Sequence, residues 1–142
     1  MRRVAADEIK TSVKELMSHS VVSGDVRQTL VEAAGVMRQH RVGALAVLQD
    51  DQIIGIITER DLMRAVADGQ NPEWTHVSQY MTHSPKTIEA AERAMHAAET
   101  MIKFKVRHLP VTEDGKLVGF LSARDLLALK PWPNELPIGE PW

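Results

Sequence analysis

The chain says the same thing twice, and this constrains its fold more than any other feature of its 142 residues. Residues 55–61 read Gly-Ile-Ile-Thr-Glu-Arg-Asp, and residues 119–125 read Gly-Phe-Leu-Ser-Ala-Arg-Asp. Gly55 corresponds to Gly119, Thr58 to Ser122, Arg60 to Arg124 and Asp61 to Asp125, each pair 64 positions apart. The spacing holds without gaps back to Val13 and Val77. About fifteen of roughly 53 aligned positions are identical, several times what ordinary residue usage gives by chance. Duplication accounts for this, and two copies of one supersecondary unit then decide the architecture. Each copy, about 55–60 residues, is marginal in core size alone. The copies are therefore expected to pack on each other.

Net charge is −2, so broad attraction to nucleic acid or an anionic membrane is not expected. A local cluster, Lys103, Lys105, Arg107 and His108, could still meet an anion. With no cysteine, disulfide and thiolate chemistry are excluded, and a cytoplasmic location is expected. No segment reads as a signal peptide or a membrane span.

The pattern divides the chain into a polar lead-in over 1–12, repeat one over 13–70, repeat two over 77–130 and a Pro/Trp-rich tail over 131–142. In repeat one, Val13–Met17 reads as a short helical lead-in and Val21–Ser23 as a short extended segment. Leu30, Ala33, Ala34 and Met37 recur at helical spacing, predicting a helix over Thr29–His40. Ala44–Leu48 and Ile53–Ile57 flank an Asp-Asp turn and predict a hairpin. Leu62, Met63 and Val66 continue as helix. Repeat two gives the same series: Ala94, Ala97, Ala98 and Met101 on a helix face, a hairpin about Asp114-Gly115, and Leu126, Leu127 and Leu129 on a closing helix. The unit is β-α-β-β-α, and the class is α/β (α+β).

Thr58-Glu-Arg-Asp61 and Ser122-Ala-Arg-Asp125 each follow a buried strand and open a helix. One reading is a capping box, in which the hydroxyl accepts a backbone N–H and the acid reaches back. The other is an anion site at a helix N-terminus. There Thr58 or Ser122 donates to a phosphate or sugar oxygen, Arg60 or Arg124 gives phosphate a charged fork, and Asp61 or Asp125 accepts from ribose hydroxyls. Gly55 and Gly119 leave room for a ligand or a neighbouring backbone. Capping and binding can coexist.

With these motifs, Arg41-Val-Gly-Ala-Leu-Ala-Val47, Val106-Arg-His-Leu-Pro-Val111 and the repeat starts at Met17 and Met81, the chain resembles a tandem pair of cystathionine-beta-synthase (CBS) domains over about Val13–Lys130. The resemblance implies two pseudo-symmetric repeats packed through their sheets, often dimerised. It implies that adenine nucleotides or related adenosyl compounds bind in clefts between the repeats. By resemblance, one cleft combines Thr58, Arg60 and Asp61 with Lys86, Val106, Arg107 and His108. The other combines Ser122, Arg124 and Asp125 with Val22, Val42 and Gly43. Repeat one departs from the pattern at Ala46, where repeat two has Pro110, and carries Gly43-Ala44 where repeat two has Arg107-His108. The site holding Arg107 and His108 is richer in positive charge and is expected to prefer more phosphates and to bind more tightly.

His19 and His83 are equivalent, but the six histidines show no H-x-x-x-H or H-E-x-x-H spacing, and no metal site is expected. No Gly-x-Ser-x-Gly elbow is present. Asp61 and Asp125 read as two separate sites rather than a catalytic pair. The methionines are expected mostly to fill core, and Trp132 and Trp142 either to be disordered with their tail or to strap onto a dimer partner. Together these residues lead to the expectation of a non-catalytic homodimeric sensor. It requires no cofactor, takes AMP, ADP, ATP or S-adenosylmethionine as regulatory ligand, and signals to an effector protein. The alternatives are a ligand-free interaction scaffold, in which both motifs are only caps, and an enzyme acting on a nucleotide.

Overall fold

The computed structural model describes residues 5, 9–19 and 21–129. The Pro/Trp-rich segment 131–142 and most of the lead-in therefore lie outside the described residues. The chain forms two units, and their boundaries are not those of the sequence repeats. One unit spans 22–85; the other joins the segment before residue 22 to the segment from 86 onward.

In the 22–85 unit, β1 (Ser23–Asp25), α2 (Leu30–His40, the second helix of the chain), β2 (Ala44–Gln49), β3 (Gln52–Thr58) and α3 (Glu59–Ala67) follow one another, and β4 (Thr82–His83) comes after a 3-10 turn at Val77–Gln79. The sheet order is β1-β2-β3-β4, with β1 parallel to β2 and the rest antiparallel. The other unit contains α1 (Val13–Leu16), β5 (Ile88–Glu89), α4 (Ala94–Phe104), β6 (His108–Glu113) and β7 (Lys116–Ser122), in a sheet ordered β5-β6-β7.

Local chemistry explains these elements. Thr29 caps α2: its hydroxyl accepts from the Glu32 N–H, and its own N–H donates to the Glu32 carboxylate. Both α2 and α4 end on a residue in the left-handed region, Arg41 (φ 54°) and Lys105 (φ 55°). The next N–H, of Val42 or Val106, returns to the carbonyl of Met37 or Met101. The hairpins turn through two residues of positive φ, Asp50-Asp51 and Asp114-Gly115, the geometry that matches strand twist.

The two cores are equivalent and reciprocal. Leu45, Val47, Ile57, Ala33 and Met37 of repeat one pack with Val77 and Met81 from the start of repeat two. Leu109, Val111, Leu121, Ala97 and Met101 of repeat two pack with Val13 and Met17 from the start of repeat one. The backbone repeats the exchange. Val13 N–H donates to Glu92 O at 2.8 Å, and its counterpart Val77 N–H to Gln28 O at 3.0 Å. Ser18 bridges Phe120, as Thr82 pairs with Ile56. Each lead-in thus completes the core built by the other repeat.

Three details differ from expectation. The first strand is Ser23–Asp25 rather than Val21–Ser23. The closing element of repeat two is one 3-10 turn, Asp125–Ala128, with Leu127 exposed and Leu129 buried beyond it. Met63 and Val66 are exposed, because α3 turns Asp61, Leu62 and Ala65 inward instead.

Candidate functional site

Both motifs close a hairpin strand; Thr58 turns directly into α3, and Ser122 reaches the 3-10 segment Asp125–Ala128 through a turn at residues 123–124. Thr58 ends β3 with extended backbone, and its hydroxyl accepts from the Asp61 N–H at 3.3 Å. Asp61 Oδ2 accepts from Thr58 N–H at 2.9 Å and from the Thr58 hydroxyl at 3.0 Å. Ser122 ends β7; its N–H donates to Asp125 Oδ2 at 2.8 Å, and its Oγ accepts from Asp125 N–H at 3.3 Å. The Thr58 motif therefore caps α3, satisfying N–H groups that a helix start leaves unpaired, whereas Ser122 and Asp125 close the same box across a turn, and the 3-10 segment Asp125–Ala128 has Arg124 at its start with no side-chain cap bond.

Beyond the shared cap the motifs diverge. Asp61 is buried, and its Oδ1 accepts from Arg64 Nη1 at 3.1 Å. Asp125 is half-buried, and among the described residues its Oδ1 has no hydrogen-bond partner. Arg60 and Arg124 both point to solvent.

His108, Arg107 and Gly43 lie beside the motif of their own repeat. His108 is the register partner of Ser122, and its ring packs edge-on against Phe120 at 6.2 Å. Arg107 precedes it, exposed, with its carbonyl accepting from Ala123 N–H at 2.8 Å. Val106 is half-buried against that core. Lys86, exposed, sets its ammonium 4.4 Å from the centroid of the Phe104 ring, a cation–π contact. Lys86, Val106, Arg107, His108, Ser122, Arg124 and Asp125 belong to one unit, and Val22, Val42, Gly43, Thr58, Arg60 and Asp61 to the other.

Gly43 and Glu59 show how the mouths of the two motifs differ. Glu59 N–H donates to Gly43 O at 3.1 Å, matching the Ala123–Arg107 bond. A β-carbon on Gly43 would stand 3.3 Å from the Glu59 carboxyl. Where one motif pairs a glycine with a carboxylate, the other pairs an arginine with an alanine. Sequence reasoning missed Glu59, Arg64 and Phe104. The i, i+3 spacing of Asp61 and Arg64 was the available signal for one of them.

Gly55 and Gly119 do not open onto a ligand. A β-carbon on Gly55 would collide with the Met81 thioether, and one on Gly119 would lie 2.6 Å from Ser18 O and 2.7 Å from Met17 Sδ. Tyr80 has its hydroxyl pKa raised, chiefly by donating to the Asp68 carboxylate at 2.8 Å. Among the described residues no group of three His, Asp or Glu side chains could hold a metal ion, and no helix is long and apolar enough to cross a membrane.

Comparison with known proteins agrees with this duplicated plan. A family model described as CBS domain matches residues 13–68 and again 77–130. The chain is 35% identical to protein MK0525 of Methanopyrus kandleri over 85% of its own length and 63% of that protein's. It is 32% identical to the CBS domain-containing protein YhcV of Bacillus subtilis over 88% of its own length and 89% of that protein's. The chain thus spans less than two thirds of the first of these relatives. Among solved structures, the CBS domain protein PAE2072 from Pyrobaculum aerophilum complexed with AMP superposes with a TM-score of 0.76 at 30% identity, covering 84% of this chain and 92% of that one. The CBS domain pair of protein MJ0100, in complex with 5-methylthioadenosine and S-adenosyl-L-methionine, does so with a TM-score of 0.77 at 25% identity, covering 82% and 93%.

Proposed function

We propose that this chain, which belongs to the CBS domain family and carries its domain twice, is a non-catalytic regulatory module that binds adenosine-containing ligands and passes their occupancy to a partner protein. The observation that carries this reading is Asp125, a half-buried carboxylate with one oxygen held by Ser122 N–H and the other without a partner among the described residues. A fixed acceptor of this kind suits a ribose diol. Exposed Arg107 and Arg124 in the same unit supply cations suited to phosphate. AMP in one structural neighbour, and 5-methylthioadenosine with S-adenosyl-L-methionine in another, support this ligand class.

In this reading Val22, Val42, Gly43, Thr58, Arg60, Asp61, Lys86, Val106, Arg107, His108, Ser122, Arg124 and Asp125 face ligand. Binding acts by differential affinity, favouring one arrangement of the chain over another. The assembly is proposed to be a homodimer. Met63 and Val66, 62% and 72% exposed on α3, are apolar surface that a second copy would cover.

The cap hydrogen bonds at both motifs favour a second reading, a ligand-free interaction scaffold. A thermal-shift screen with AMP, ADP, ATP, S-adenosylmethionine and NADH separates the two. At ligand concentrations near 100 times the dissociation constant, the stabilisation expected is about 2–3 kcal/mol. No shift with any of them supports the scaffold.

A further inference from the structure

The two motifs differ at a residue that the shared pattern does not include. Arg64 lies one turn beyond Asp61 on α3 and donates from Nη1 to Asp61 Oδ1 at 3.1 Å. Thr58 already supplies two donors to Oδ2. Both oxygens of Asp61 are therefore engaged within the protein. The Arg64 guanidinium has a second seat, 5.7 Å from the centroid of the Tyr80 ring, and the Tyr80 hydroxyl is itself tied to Asp68. At motif two, the residue in the place of Arg64 is Ala128, and Asp125 Oδ1 is without a partner among the described residues.

We propose that Arg64 is a built-in competitor for the ribose hydroxyls at motif one, so that an adenosine ligand fills motif two first. The proposal rests on the reading that Asp61 and Asp125 face ribose. A carboxylate oxygen can accept two donors when both have room. The Asp61 side chain is only 8% exposed, and the guanidinium sits on the Oδ1 that a diol would need. The Arg64 side chain is 56% exposed, so solvent and salt reach the cationic end of the pair and weaken it. A ligand can displace it, at a loss of affinity, while the Tyr80 face still holds the cation. The result is a graded two-step response built from one repeat's extra arginine.

The test uses the full chain carrying Asp125→Ala, so that motif one alone reports, and adenosine as an uncharged probe that gives Arg64 no phosphate to bind. In isothermal titration, adding Arg64→Ala should tighten adenosine binding about two- to fivefold, the range set by a half-exposed ion pair. Arg64→Lys, which keeps a cation near Asp61, should stay near the Asp125→Ala parent. Raising NaCl to about 0.5 M should tighten the parent and leave the Arg64→Ala form flat, since salt screens the competing pair; this arm holds even if Arg64→Ala folds poorly. Weaker or equal binding by Arg64→Ala, or a parent insensitive to salt, overturns the proposal. So does silence in both the parent and Arg64→Ala while the unsubstituted chain still binds. Failure of the unsubstituted chain to bind adenosine or AMP removes the ligand reading itself, and the proposal with it.

Discussion

Met81 lies across Gly55, its thioether occupying the space that a β-carbon on residue 55 would need. Met17 and Ser18 stand in the same relation to Gly119. The glycine of each motif is thus the seat of the other repeat's first methionine. The motif does two jobs on neighbouring residues: its glycine receives the exchanged lead-in, and its Thr or Ser and Asp cap the turn that follows.

The two seats are not equally stiff. The atoms that a β-carbon on Gly55 would meet belong to the Met81 side chain, which can swing. At Gly119 the nearest atom is the backbone carbonyl of Ser18, itself bonded to Phe120. Gly119→Ala should therefore cost more stability than Gly55→Ala, with both falling near the about 1–3 kcal/mol of an overpacked core. Met81→Ala should recover part of the Gly55→Ala loss, and Met17→Ala little of the Gly119→Ala loss. Urea denaturation of the single and double variants measures this; equal costs and equal recovery would count against the exchange as the reason for the glycines.

The sequence shows why the exchange was hard to read in advance. Val13, Met17, Val77 and Met81 were visible as equivalent apolar positions, but periodicity says only that a residue is buried, not in which core. The hairpins and the two long helices were legible, because their apolar spacing, the Asp114-Gly115 turn and the Thr29 cap are all local signals. The closing helix of repeat two was not, since Leu126 and Leu127 carry helical spacing that stops after a single turn. At the site, the Thr/Ser and Asp residues were legible as caps. Arg64 was not, because only the fold shows that it reaches Asp61 rather than solvent.

The two aspartates separate structure from binding. Asp61→Ala leaves the Thr58 donors without their acceptor and Arg64 without its partner, and should destabilise by about 1–3 kcal/mol. Asp125 accepts one bond, from Ser122 N–H, so Asp125→Ala should cost less stability. Its effect should fall on the ligand, with affinity for AMP at motif two down about ten- to a hundredfold. Thermal melts paired with titration read both quantities. Unchanged AMP affinity at motif two in Asp125→Ala would refute the ribose role.

Glu32 gives a pH signature of the α2 cap. Hydrogen bonds from Thr29 N–H, then from the Thr29 hydroxyl, hold its carboxyl below the ordinary value of 4.5. A depressed folded-state pKa means stability that is present above the unfolded value and lost as pH falls through the folded one. Glu32→Gln keeps the box geometry without the charge. The melting temperature of the wild type should therefore exceed that of Glu32→Gln near neutrality, and the gap should close as pH falls below 4.5 and through the lowered folded-state value. A gap that stays constant into acid would assign the difference to packing instead.

The exchange also predicts which fragments fold. Residues 13–68 form a complete repeat by sequence, yet they carry Val13 and Met17 without the core those residues enter, and lack Val77 and Met81, which fill their own. Residues 22–85 hold the whole four-stranded sheet with both of those residues. Both fragments are near the size at which a core is marginal, so losing two buried side chains of this kind, worth about 2–5 kcal/mol for a methionine alone, decides the outcome. The 22–85 fragment should show a cooperative melt by circular dichroism, and the 13–68 fragment should not. Equal cooperativity in the two would mean that the lead-ins decorate the units rather than complete them.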